Sequence, residues 1–170
     1  SISEAQVIGL TDSGSGKVAS KLLTKSLYVT SVQKLLEMKP DVVCVATPPK
    51  NHYELASQFV NKGINVICEK PFCQTLDESN KLCFLASQQG VKTAVNFQYR
   101  FEPGIKFLKS SIEDGLIGET NSIDFIWLTS GKANKNIAWT WRNDLSQGGG
   151  VIGAFLSHSI DLVEWITSRR

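Results

Sequence analysis

The segment Val66-Ile67-Cys68-Glu69-Lys70-Pro71 passes from three apolar residues straight into a carboxylate, an ammonium and a proline. That order suits a strand delivering charged groups to the carboxyl edge of a sheet, where open parallel sheets bind their ligands. Just upstream, residues Glu54 to Asn61 suit a helix, and Gly63 fits the position just past its end. Just downstream, Thr75-Leu76-Asp77-Glu78 is a capping box that opens a helix to about Gln89, with Gly90 behind it and a strand over Val91 to Val95. Further back, Asp41-Val42-Val43-Cys44-Val45-Ala46-Thr47 is a near-continuous apolar run, as expected of a strand with helices on both faces. Strand and helix alternate across short connections, which argues for an α/β, doubly wound parallel sheet.

Toward the amino end, Gln6 to Thr11 reads as a short strand feeding the polar turn Asp12-Ser13-Gly14-Ser15-Gly16-Lys17. The turn is not a P-loop: Val18 follows the lysine where Ser or Thr is required, and Thr11 stands in place of the first glycine. A helix is expected over Val18 to Lys25 and a strand over Leu27 to Val29. Thr30 or Ser31 then caps a helix carrying Val32, Leu35 and Leu36, which Pro40 ends.

Past Asn96 the pattern changes. Asn96-Phe97-Gln98-Tyr99-Arg100-Phe101-Glu102-Pro103 leads into a helix closed near Gly115, and Thr120 to Thr129 reads as a strand with Ile123, Phe125 and Trp127 on one face. It would begin an antiparallel sheet. Lys132 to Gln147 is a polar loop holding Trp139, Trp141 and Arg142, of the kind that covers a site. The two tryptophans suit either sugar stacking or lid packing. Gly148-Gly149-Gly150 opens the last helix, which contains His158 and Asp161 and runs to Trp165 or beyond.

Composition narrows the function classes. The 170 residues carry 18 basic and 16 acidic side chains, a formal charge of +2 that argues for neither nucleic acid nor membrane as a partner. The longest apolar runs fall far short of the roughly 20 residues that cross a bilayer. The amino terminus lacks the basic start and apolar core of a secretory signal. Cys44, Cys68, Cys73 and Cys83 show no CxxC spacing, so buried thiols in a reducing cytoplasm are expected. Neither histidine lies at ligand spacing from a cysteine, so no metal site is expected.

Glu69-Lys70-Pro71, following a Gly63-ended helix and a strand, resembles the signature of the Gfo/Idh/MocA oxidoreductases. Asp12, Pro48 to His52, Asn96 to Pro103 and Gly148 to Asp161 occur in that family's order. The resemblance implies an NAD(P)-binding Rossmann domain over residues 1–97 and the start of an α+β substrate and oligomerisation domain over residues 98–170. It implies hydride transfer between a nicotinamide and a sugar, polyol or related small molecule, in a full-length homo-oligomer. His158 would be the acid/base, and Lys70 would hold or polarise the reacting oxygen. Cofactor contacts would come from Asp12, Ser13, Thr47, Pro48, His52, Glu69, Lys70, Asn96 and Arg142. Glu69 would also fix Lys70 and its turn, and Pro71 would sit on a cis bond. Asp12 would accept from the adenine ribose hydroxyls and favour NAD, while Ser13 and Lys17 can cradle the 2′-phosphate of NADP. His52, beside a helix start, reads more readily as a capping or packing residue than as a catalyst.

Two departures qualify the resemblance. Where the family's enzymes usually carry Asp four residues before the histidine, this chain has Ala154. Asp161 is an incomplete substitute, and a non-catalytic dinucleotide-binding regulator or scaffold is the alternative reading. No strand with a GxGxxG turn precedes Gln6, so most of the pyrophosphate site is expected to be absent, and at the carboxyl end one strand and two helices are not expected to complete the second sheet. The expectation is a fragment of a longer enzyme, lacking about 10 kcal/mol of burial from its central strand. Such a chain would neither bind NAD(P) tightly nor melt cooperatively on its own.

Overall fold

The computed structural model describes residues 5–11, 27–29, 31–128 and 139–168. The roles expected of Asp12, Ser13 and Lys17, and the helix over residues 18–25, fall outside them.

Two short strands, β1 (Gly9–Leu10) and β2 (Leu27–Tyr28), pair in parallel, and the ladder continues with Val29 N–H donating to the Leu10 carbonyl at 2.9 Å. Helix α1 (Val32–Glu37) follows; its N-cap is Ser31, whose hydroxyl accepts from Lys34 N–H at 3.3 Å. Then come β3 (Val42–Val45), α2 (His52–Val60), β4 (Asn65–Glu69), α3 (Leu76–Gln89) and β5 (Thr93–Asn96). β3, β4 and β5 form a three-stranded parallel sheet with β4 in the middle, not joined to β1 and β2 among the described residues.

Local chemistry sets these boundaries. Thr75 and Glu78 make the reciprocal capping box at the start of α3, and Gly90 ends that helix at φ 64°, a left-handed conformation that costs glycine nothing. Gly63 turns the chain after α2 at φ 73°. The core lies between the sheet and helices α2 and α3: Val43, Val45, Val66 and Cys68 pack with Ala56, Phe59, Val60, Leu82 and Ala86. Each large side chain buried there stabilises the fold by about 1.5–3 kcal/mol.

The sheet departs from expectation in how it is covered. β3 alternates exposed and buried, so the run Val42 to Val45 is not buried on both faces, and Val42, Cys44 and Ile67 are exposed. α2 and α3 both cover the face of Val43 and Val45, and no described element covers the other.

The second part begins with a 3-10 turn (Gln98–Phe101) and α4 (Pro103–Glu113). It ends in a π-helical turn (Ile152–Leu156) that runs into α5 (Ser157–Thr167), packed on α4. The strand expected over residues 120–129 does not form among the described residues. Residues 120–128 carry no ladder, because no described segment lies alongside to exchange hydrogen bonds with them. Among the described residues no helix is long and apolar enough to cross a membrane.

Candidate active site

The parallel register brings the polar strand ends together. Glu69 and Asn96 are direct partners across β4 and β5, and the Asn96 amide donates to Glu69 Oε1 at 2.6 Å. The other oxygen, Oε2, accepts from the backbone N–H of Lys70 at 3.3 Å. Glu69 therefore fixes the turn that presents Lys70, and the Lys70–Pro71 bond is cis.

Lys70 crosses from the sheet edge to the second part of the chain. Its ammonium donates to the carbonyl of Ala154 at 2.5 Å and lies 3.5 Å from that of Gly153. Both carbonyls belong to the π turn, whose wider winding spaces its bonds five residues apart. A Cβ at position 153 would stand 3.4 Å from both the Pro71 ring and the Gly148 carbonyl oxygen, in ordinary contact with each. Burial lowers the pKa of Lys70; the Glu69 carboxylate opposes that shift and the Arg142 guanidinium adds to it.

His158 is 2 % exposed, and aromatic rings surround it: Tyr99 at 4.6 Å, Phe97 at 5.9 Å and Trp127 at 6.1 Å between centroids. Its Nδ1 is buried with no hydrogen-bond partner. Burial lowers its pKa, and the nearby Lys70 ammonium lowers it further, against smaller opposing contributions from Asp161 and Glu69. The ring is therefore held neutral and ready to accept a proton. The aromatic enclosure and the π turn were not legible in the sequence, although Phe97, Tyr99 and Trp127 lie in segments whose patterns stand out there.

Asp161 does not take up the role of the missing carboxylate. Arg100 grips both its oxygens, Nε donating to Oδ2 at 2.8 Å and Nη2 to Oδ1. That pair ties the 3-10 turn after β5 to α5, which places the aromatic wall against His158.

The remaining expected residues divide into two groups. Thr47 and Pro48 lie half-buried at the carboxyl end of β3, beside the Lys70 turn. His52 is fully buried beneath them, with both ring nitrogens engaged by backbone carbonyls, so it acts on the site through the loops it touches. Arg142 is exposed and its guanidinium stacks 4.7 Å from the Trp141 ring, while Trp139 is largely exposed. Gly149 lets this loop dock: a Cβ there would come within 2.3 Å of the Trp141 carbonyl oxygen. Thr47 carries a hydroxyl and Lys70 an ammonium at adjacent strand ends, a donor set able to hydrogen-bond the hydroxyl and carbonyl oxygens of a nucleotide.

Comparison with known proteins bears on the family and the fold. A family model described as an oxidoreductase family with an NAD-binding Rossmann fold matches residues 1–97, and one described as a GFO/IDH/MocA C-terminal domain matches residues 105–170. An uncharacterized oxidoreductase of Synechocystis is 36 % identical over 139 residues, 82 % of this chain and 38 % of the relative. A levoglucosan dehydrogenase of Pseudarthrobacter phenanthrenivorans is 32 % identical over 126 residues, 74 % of this chain and 32 % of the relative. The solved structure of a levoglucosan dehydrogenase in complex with NADH superposes with a TM-score of 0.80 at 25 % identity, covering 94 % of this chain and 44 % of the other. The chain thus spans well under half the length of these proteins.

Proposed function

This chain belongs to the GFO/IDH/MocA oxidoreductase family, and from that premise we propose that the full-length protein is an NAD(P)-dependent dehydrogenase acting on a sugar, polyol or related small molecule. The observation that carries the reading is the convergence of Lys70 on the π turn that leads into His158. An ammonium and a neutral, enclosed imidazole meet there from two parts of the chain.

When bound, the nicotinamide supplies or accepts the hydride; the protein's residues manage the proton and the charge. The Lys70 ammonium stabilises negative charge on the substrate oxygen as its proton leaves. His158 accepts that proton in the oxidising direction and returns it in the reducing one. Glu69 and Asn96 keep Lys70 at its post, and the aromatic wall limits water around the imidazole. Thr47, Pro48, Lys70 and Asn96 line the sheet edge on the nicotinamide side, and Arg142 lies on the loop above it. Asp12 favours NAD over NADP, and NADH is the cofactor in the levoglucosan dehydrogenase complex. A division at residues 97/98, a homo-oligomeric assembly and a cytoplasmic setting suited to free cysteines belong to the same proposal.

Ala154 favours a second reading, a dinucleotide-binding regulator of the same fold, because it removes a carboxylate from the site. Hydride transfer from a panel of sugars and polyols to NAD and NADP, with the full-length protein, separates the two. The dehydrogenase predicts turnover that Lys70→Ala and His158→Ala each reduce by roughly 10²–10⁴-fold. Tight cofactor binding without turnover on any substrate would instead establish the regulator.

A further inference from the structure

The buried Nδ1 of His158 has no hydrogen-bond partner among the described residues, although a carboxylate stands one helical turn away. Asp161 follows His158 by three residues in α5, the spacing that sets two side chains side by side on one face. Both are enclosed, at 2 % and 6 % exposure, and Asp161 already draws the ring toward its charged form, against burial and Lys70. A lone buried polar atom beside a carboxylate calls for a reason. Arg100 supplies one. Its fork takes both oxygens, Nε donating to Oδ2 at 2.8 Å and Nη2 to Oδ1, which fixes the plane of the carboxylate and turns it to the guanidinium. The same 3-10 turn carries Tyr99, whose ring packs 4.6 Å from the imidazole. One turn thus brings both the wall and the clamp.

We propose that Arg100 is a positioning residue for His158: it holds Asp161 away from the imidazole and offsets the carboxylate's charge, so the base works without a carboxylate partner. This deepens the dehydrogenase reading and takes its catalytic meaning from it. The other charged groups near the ring do not take that place. Lys70 faces it from the sheet edge and disfavours a charged ring; Glu69 favours one, but its oxygens are engaged by the Asn96 amide and the Lys70 N–H. On α5, Glu164 acts on Arg100. On α4, Lys106 stacks on Phe101 and Lys109 pairs with Glu113. Asp124, in the segment that provides Trp127, is exposed. Without Arg100 the enclosed Asp161 loses two charge-assisted bonds, and the ring one turn back on its own helix is the donor it can turn to. A carboxylate paired with an imidazole favours the charged ring, and a ring already charged takes no proton from a substrate.

NMR titration of the His158 ring in the full-length protein tests this, with the ring signals assigned by their loss in His158→Gln. In the wild type no ring N–H bonded to a carboxylate is expected, and finding one would overturn the proposal. Arg100→Gln should move the midpoint of the ring's titration up by about one pH unit, and the double variant Arg100→Gln/Asp161→Asn should bring it back. An unmoved midpoint, or a rise that the second change does not reverse, would overturn the proposal and leave Arg100 as a tie between two elements. If Arg100→Gln does not fold, Arg100→Lys, which keeps the charge but cannot fork, should show the same rise in smaller measure; no rise there would overturn it as well. The acid limb of the kcat/KM profile should follow the ring's midpoint in each variant. A midpoint that moves while the limb stays would count against His158 as the base in the dehydrogenase reading, and the restraint on Asp161 would still stand.

Discussion

At the scale of single residues, the pair Lys70 and His158 shows how an ammonium and an imidazole tune each other without a carboxylate between them. Burial and the ammonium both hold the His158 pKa below the ordinary imidazole range. A base must be unprotonated, so with His158 in the proposed role alcohol oxidation by the full-length protein should persist on acidification to a pH below that range. Ala154→Asp should raise the pKa of both groups, so the acid limb of the kcat/KM profile should move to higher pH. A limb that stays put would place the titrating group elsewhere. Lys70 and His158 stand out in the sequence through motifs that resemble the family's, and the roles given them belong to the proposed function. The grip of Arg100 on Asp161 was hidden, because 61 residues separate them and no periodicity links the two positions. The orphaned Nδ1 of His158 was equally illegible, since it depends on rings from two segments far from it in the chain.

Among the elements, helices were the most readable because their ends are local chemistry. Thr75→Ala removes half of the capping box on α3 and should lower stability by about 1 kcal/mol, measured by denaturant titration of the full-length protein. Arg100→Ala leaves a buried carboxylate without its partner. The cost should be on the order of 3 kcal/mol, the low end for such a deletion because Arg100 is partly open to water. Removing both partners should cost less than the sum of the single changes if the pair, rather than either side chain's packing, holds α5 in place. Strands were less readable. Residues 120–128 have the alternation of a strand, but alternation describes one ribbon, and a ladder needs a neighbour. The apolar run of β3 likewise suggested two covered faces, although sequence alone does not say on which side successive helices return.

Across the whole molecule, two parts of the described chain meet at one edge of one sheet, and the candidate site lies where they touch: the Glu69-Lys70-Pro71 turn on one side, the π turn and α5 on the other. The class of the fold could be read from alternating elements with short connections, whereas that docking arises from a carbonyl, a glycine without a Cβ and a lysine long enough to bridge. Among the described residues β4 is the one strand of its sheet with a hydrogen-bonded neighbour on each side, and Val66 and Cys68 on its sealed face are almost wholly enclosed. Its amides should therefore be the last to take up deuterium, opening only when the sheet itself comes apart, while residues 120–128 should label at once. The rigid clock of the described fold would then run directly beneath Lys70, so its slowest backbone would carry the ammonium to which the proposed reaction assigns the substrate oxygen.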